Sequence, residues 1–182
     1  LTAGAKNLAI GTQALYSATT SSYNQAVGYK SLYATTTGYS NNMFGYYSGI
    51  NISTGHNNNA FGFTTLAGCI TGTYNSAFGE QALANCNGDK NVGVGAFAGD
   101  DNETGDNNVS IGYDSGPSSA AIESTICLGT GATAIASNQL IVGDGTSGSI
   151  TDAYLGQGIT YASPAGIIMN ASGGSGIDNA GG

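Results

Sequence analysis

Residues 24–33 read Asn24-Gln25-Ala26-Val27-Gly28-Tyr29-Lys30-Ser31-Leu32-Tyr33, and the chain repeats this stretch along most of its length. Each copy begins with a pentad of Asn, any residue, a usually small residue, a large apolar residue and an anchor glycine. The anchor glycines of the regular copies are Gly11, Gly28, Gly45, Gly62, Gly79, Gly95 and Gly112. The steps between them are 17, 17, 17, 17, 16 and 17 residues. A short fixed period is typical of a solenoid, in which each repeat forms one coil stacked on the next.

The repeat predicts strands and turns rather than helices. Glycine recurs too often for a helix, and no apolar stripe of helical period persists. Each pentad is expected to form a short strand, with a second short strand two or three residues later, as at 14–16 and 31–33. A polar turn that mostly ends in Gly closes each coil, and such a glycine suits a position with positive φ. The sequence therefore predicts an all-β protein, a parallel β-solenoid or β-roll of about ten short coils.

The regularity of the repeat divides the chain into three parts. Residues 1–116 hold the regular coils. Residues 117–160 hold an irregular segment and shorter coils, with decayed pentads that end at Gly129, Gly143 and Gly156. Residues 161–182 are rich in Gly, Ser and Ala, and we expect them to lead into a further module of a longer fibre-forming chain.

Both faces of the predicted strand are free of charge. Counting from the anchor glycine, position −1 is always large and apolar, and position −2 is usually small, as in Ala26, Ala60 and Ala77. Successive side chains of a strand point to opposite faces. We expect the −1 column to fill the interior of its own coil and the small −2 face to pack closely against another chain. This predicts coils of several chains side by side, most simply in a closed ring.

The Asn that opens each pentad also forms a column. Its members are Asn7, Asn24, Asn41, Asn58, Asn75, Asn91 and Asn108. Stacked in-register Asn side chains hydrogen-bond along the stack. We therefore expect the Asn and anchor-glycine columns to be structural rather than ligand-binding.

The charges exclude some classes of partner. The net charge is −8, there is no Arg, and all eleven acids lie from Glu80 onward. With three Lys and no Arg in the whole chain, nucleic-acid binding is not expected. No segment is long and apolar enough to predict membrane insertion.

Few residues suit catalysis. His56 is the single histidine, lies in a variable polar column, and is expected to be an exposed turn residue. No nucleophile motif accompanies it, so the chain is not expected to be an enzyme. Cys69 and Cys86 are one coil apart and are expected to be free, partly buried thiols, because parallel stacked Cβ vectors do not suit a disulfide. Cys127 lies in the −2 column and is expected in the core.

One cluster of acids suggests a cation. Oxygen ligands at turns suit Ca²⁺, the one cofactor that the sequence suggests. The alternative is a solvated acidic rim that blocks lateral association. The candidate ligands are Asp89, Asp100, Asp101, Glu103 and Asp106.

Aromatic residues form partial columns, of which Tyr29, Tyr46 and Phe63 make one and Tyr16 and Tyr33 another. Exposed aromatic rings suit a glycan-binding surface, and the alternative is packing between neighbouring coils. The Thr column of Thr20, Thr37, Thr54 and Thr71 raises an ice-binding alternative, which the absence of a matched second column disfavours.

The motif Asn-x-Ala-Φ-Gly-x-x-Ala-Leu (Φ apolar), followed by Tyr and a Thr-Thr-Gly-like turn, resembles repeats of bacteriophage tail fibres and head repeats of YadA-type trimeric autotransporter adhesins. Residues 138–143, 151–158 and 171–176 look like distal parts of phage and prophage fibre proteins. The adhesin heads usually have a shorter repeat, and this chain has neither a basic neck motif nor a heptad stalk. Both resemblances imply an intertwined homotrimeric rod of parallel β-coils.

Together these features predict a non-enzymatic structural and adhesion module. The first expectation is part of a phage tail fibre, located in the virion, that binds a glycan or protein of a host cell surface. The alternative is a bacterial surface trimeric adhesin. An ice-binding solenoid and a polysaccharide depolymerase are less favoured.

Overall fold

The computed structural model describes residues 4–143, which contain short strands joined by turns and no helix. The strands are β1 (Leu8–Ile10), β2 (Gln25–Val27), β3 (Asn42–Phe44), β4 (Asn59–Phe61), β5 (Ser76–Phe78), β6 (Val92–Val94), β7 (Val109–Ile111), β8 (Gly116–Pro117), β9 (Ile126–Leu128), β10 (Thr133–Ala134) and β11 (Leu140–Val142). Within this range there is no helix long and apolar enough to span a membrane.

Nine of the strands form one parallel sheet in the order β1-β2-β3-β4-β5-β6-β7-β9-β11. Each strand contributes one coil, and equivalent residues pair, as in Ala60 with Ala77 and Ser110 with Cys127. The chain is a parallel β-solenoid, which confirms the predicted fold class. The decayed pentad that ends at Gly129 joins the sheet in register, and the one that ends at Gly156 lies outside the described residues.

The predicted second strand is wrong in the regular coils. Residues 14–16 and 31–33 lie in turns, where Leu15 and Leu32 each have a φ of 50°. A hydrogen bond from the Ala14 N–H to the Gly11 carbonyl, at 3.3 Å, closes the first of these turns. A second parallel ladder forms only later, where β10 pairs with β8. The return path of each regular coil is therefore a run of turns that directs its leucine inward.

The core lies between the sheet and this return path. The −2 residues Ala26, Met43, Ala60 and Ala77 are buried there, together with Leu32, Leu66 and Leu83 from the turns and Cys69 and Cys86 from the far corner. A three-residue strand with its own chain folded across one face has an interior only a few atoms deep. The leucines fill this interior, so only small or flexible residues fit beneath the strand.

The strands turn the opposite face to the core from the one that we expected. The −1 residues point outward, and most of them are exposed, by 41% at Phe61, 42% at Phe78 and 54% at Ile10, while a few such as Phe44 are half-buried. The small −2 residues, which we expected to face another chain, are the ones inside the coil. A single chain thus leaves its large apolar column, not its small column, without a covering surface.

Candidate functional site

The Asn column is a buried ladder of side-chain-to-backbone hydrogen bonds. The backbone N–H of Asn41 donates to the Asn24 Oδ1 at 2.9 Å, and the Asn24 Nδ2 donates to the carbonyl of Gly38 at 2.9 Å. The same two bonds recur at Asn58, whose partners are the Asn75 N–H and the Gly72 carbonyl. Each Asn therefore satisfies two backbone groups of the next coil at a corner where the sheet does not reach them.

The anchor glycines have φ between 128° and 147° in the regular coils, where an L side chain is strained. They also lie very close to one another: a Cβ at Gly79 would be 2.5 Å from the carbonyl oxygen of Gly95. The turn glycines such as Gly55 do not have a left-handed φ, contrary to our expectation. Close approach requires glycine there, because a Cβ at Gly55 would be 2.6 Å from the Gly72 oxygen.

The cysteines lie in the interior. Cys69 and Cys86 are free and fully buried, which is deeper than the sequence suggested, and Cys127 is buried on the inner face of β9. Burial raises the pKa of the Cys69 thiol to about 12, and burial does the same for Cys86. The Cys86 Sγ also accepts from the Asn91 Nδ2 at 3.1 Å. In the described coils no three His, Cys, Asp or Glu side chains group to hold a metal ion.

We expect the buried thiols to be unreactive in the folded protein. At pH 8 the native chain should not react with a thiol-specific reagent over minutes, because the thiolate is the reacting species and burial disfavours it. In about 6 M guanidinium all three cysteines should react, which gives the internal control. Rapid labelling of the native chain at pH 8 would contradict the burial of these residues.

His56 is half-buried between aromatic rings rather than exposed. Its ring stacks on Tyr39 at 4.5 Å between centres and meets Tyr74 edge-on at 5.7 Å. Asn57 Nδ2 lies 3.2 Å from the His56 Nδ1. These contacts give the ring a packing role on the turn side of the coil.

The five candidate calcium ligands are divided between different columns. Asp89 Oδ1 accepts from the Thr73 N–H at 2.8 Å, and Asp106 Oδ1 accepts from the Asp89 N–H at 2.7 Å. These two carboxylates therefore act as backbone acceptors from one coil to the next. Glu103 is exposed in the turn that precedes Asp106.

Asp100 and Asp101 instead line a groove of about 540 Å³ with Asp114, beside β8. Burial raises the pKa of the Asp100 carboxyl, and the charges of Asp101 and Asp114 raise it further. The sequence did not indicate this groove, because it depends on the change of path at Gly116–Pro117.

The aromatic columns stack along the rod. Tyr29, Tyr46 and Phe63 follow one another at 5.2 Å between ring centres, and Tyr16 lies 5.3 Å from Tyr33. We call the following set the tyrosine surface. Its members are Tyr16, Tyr29, Tyr33, Tyr46, Tyr47, Phe63 and the enclosed Lys30.

Comparison with protein-family models, curated proteins and solved structures finds no match to this chain. Function must therefore be inferred from its surfaces. In addition to the tyrosine surface, the chain has a more continuous surface, which is formed by the −1 column on the outer face of the sheet. We call this surface the outer stripe. Its members are Ile10, Val27, Phe44, Phe61, Phe78, Val94, Ile111, Leu128 and Val142.

The sequence predicts the residues of the outer stripe as core, because they are uniformly large and apolar, and this prediction is wrong. Phe44, Phe61 and Phe78 stack in parallel at 4.7 Å and 5.1 Å between ring centres. The turns on either side of the sheet differ from the stripe, since they mix polar residues with exposed aromatic rings such as Tyr46 and Tyr74. The stripe is thus a narrow apolar band that follows the rod through every described coil.

Proposed function

We propose that this chain is a non-enzymatic segment of a phage tail fibre, which assembles as a homotrimeric rod and binds a host cell surface. The outer stripe is the observation that supports the proposal. At a spacing of about 4.8 Å per coil, its nine residues extend over roughly 40 Å. A soluble monomer rarely leaves a continuous apolar surface of this kind uncovered.

The partner that best fits the outer stripe is another copy of the same chain. Only a rod with the same rise per coil meets the stripe at every step, and a parallel copy in register places equivalent apolar residues side by side. In a closed ring every chain covers the stripe of a neighbour, so no stripe remains exposed. The number three comes from the resemblance to tail fibres and trimeric adhesins.

The rod would present three copies of each remaining surface to a host. Multivalent binding of this kind gives strong attachment from individually weak contacts. The partner is a glycan or protein of the host surface, and the location is the virion. Labelled rods should bind bacterial cells of a susceptible strain without releasing reducing sugars from them. Steady sugar release would instead support a depolymerase, and absence of binding to susceptible cells would contradict host attachment.

Solution mass tests the assembly. Light scattering of the full chain should give three times the 18.0 kDa chain mass. Phe78→Asp should shift the mass to a single chain, because a buried unpaired charge at the interface is strongly unfavourable. Tyr74→Asp is the matched control, since Tyr74 is an exposed aromatic outside the stripe and its column includes Asn57 and Asn107. A native chain that is folded and monomeric would overturn the assembly.

A further inference from the structure

The tyrosine surface lies in the turns of the first coils, beyond the strands that present the outer stripe. We propose that it binds an acidic polysaccharide, one whose sugars bear carboxylate groups, and that Lys30 contacts the carboxylate. This inference rests on the proposed function and deepens it, because it names the class of host ligand that the rod would recognise.

Lys30 is held among aromatic rings, and within residues 4–143 no carboxylate forms an ion pair with it. Its Nζ lies 5.4 Å from the ring centre of Tyr29, 5.4 Å from that of Tyr33 and 5.8 Å from that of Tyr47. Residues 1–79 contain no Asp or Glu, and Glu80 occupies the position equivalent to Tyr29 three coils later. The charge is therefore fixed by cation–π contacts and left available to an anion.

The arrangement of the rings determines what they offer to a ligand. Tyr46 and Phe63 are within 7° of parallel, and Tyr16 and Tyr33 within 4°. Tyr47 is tilted by 46° to Tyr46, but the stacked rings face one another along the rod. Solvent therefore meets mainly the edges and the phenol hydroxyls of the stacked rings. The edge is the positive part of an aromatic ring, and the hydroxyls donate hydrogen bonds. The surface therefore favours an oxygen-rich anion over a neutral sugar stacked face-on.

The spacing of negative charges along a polymer decides which anionic polymer fits the tyrosine surface. A nucleic acid bears a phosphate at every nucleotide and is bound by several Lys or Arg, whereas this surface has one Lys and the whole chain has no Arg. The net charge of −8 also repels a densely charged polymer. A polysaccharide with spaced carboxylates fits better, since Lys30 pairs with one carboxylate while the phenols donate to neighbouring hydroxyls.

A substitution can remove the charge without disturbing the backbone. Lys30 has a φ of 52°, and the equivalent positions in other coils hold Gln13 and Gln81 with φ of 60° and 54°. Lys30→Gln therefore introduces a side chain that the same backbone conformation already carries in two other coils. Lys6→Gln is the matched control, because it changes the net charge equally at a lysine outside the tyrosine surface, over Tyr23.

Binding of the full 182-residue chain to immobilised hyaluronate, which bears a carboxylate on alternate sugars, tests the inference. Polygalacturonate and alginate, which bear a carboxylate on every sugar, provide the more densely charged comparison, and each polymer is tested beside its carboxyl-reduced neutral form. We expect binding to at least one charged polymer, none to its neutral form, and weakening at high salt. Lys30→Gln should weaken binding about tenfold, the effect of one charge-assisted contact, and Lys6→Gln by less than about twofold. Unchanged solution mass and circular dichroism show that the variants remain folded and assembled.

The inference is overturned if none of the charged polymers binds, if the neutral forms bind equally, or if Lys30→Gln binds like the native chain. Its failure is distinct from failure of the proposed function. Three-chain rods that bind host cells with no dependence on Lys30 would contradict only the acidic-glycan site. Single chains that bind no host cell would contradict the proposed function itself.

Discussion

Replacing Asn58 with alanine is expected to lower the free energy of unfolding by about 3 to 6 kcal/mol. The substitution leaves the Asn75 N–H and the Gly72 carbonyl without their side-chain partner. It also removes the 3.1 Å bond from the Asn58 Nδ2 to the Asn41 Oδ1. Asn58 is fully buried in the middle of the stack, so water does not replace these bonds without separating the coils.

Urea denaturation followed by circular dichroism, at one fixed chain concentration because assembly contributes to stability, measures this effect. Asn51→Ala is the control, since Asn51 is exposed in the neighbouring turn and lies outside the ladder. It should change stability by less than about 0.5 kcal/mol. Equal effects of the two substitutions would show that the ladder contributes little to the fold.

Gly79→Ala is expected to destabilise the chain by at least about 3 kcal/mol, or to prevent folding. Two costs act at the same position. The φ of Gly79 is 134°, which is strained for an L residue, and the new Cβ would be 2.5 Å from the Gly95 oxygen. The atoms that the new Cβ would meet, in Gly95 and Ala96, are backbone atoms of the next coil, so relief requires the coils to separate.

A second glycine with positive φ provides the comparison for Gly79. Gly131 has a φ of 64°, and the equivalent residue one coil earlier, Asp114, has a φ of 52°. Gly131→Asn should therefore change the unfolding midpoint only slightly, because side chains already occupy this conformation in the same column. If both glycine substitutions cost the same, close approach of the coils is not what excludes a side chain at the anchor positions.

The sequence predicted the coils and their register because both depend on columns that can be read directly. Position −4 is Asn and position 0 is Gly in every regular copy, so the pairing of one strand with the next follows from the spacing. The 16-residue step does not disturb this register, since Ala77 still pairs with Gly93. The missing residue falls in the turn before Gly88.

The columns do not predict which face of each strand points to the core. Alternation shows that −1 and −2 lie on opposite faces, but not which face is inside. The deciding residues are Leu32, Leu66 and Leu83, which reach the interior from left-handed turns that leucine rarely adopts. The apolar pattern instead suggested a second strand there, and large −1 residues were assigned to a core that has no room for them.

The candidate surfaces were predicted in part. The column of Tyr29, Tyr46 and Phe63 follows from the period, but Lys30 belongs to a column with no common residue type and so gave no signal. The acidic groove beside β8 depends on a change in chain path that single-residue preferences do not encode.

The Asn ladder also limits how far apart in the sequence the partners of each coil lie. Each of its bonds joins residues 13 to 17 positions apart, and the backbone groups that each Asn side chain binds lie in the coil that follows it in the sequence. A coil therefore becomes complete as soon as the next one has been synthesised, without waiting for distant parts of the chain. Such short sequence separations favour rapid folding. On the ribosome, the hydrogen-bonded stack within a single chain can therefore extend coil by coil at the pace of translation, and the outer stripe is covered when chains assemble.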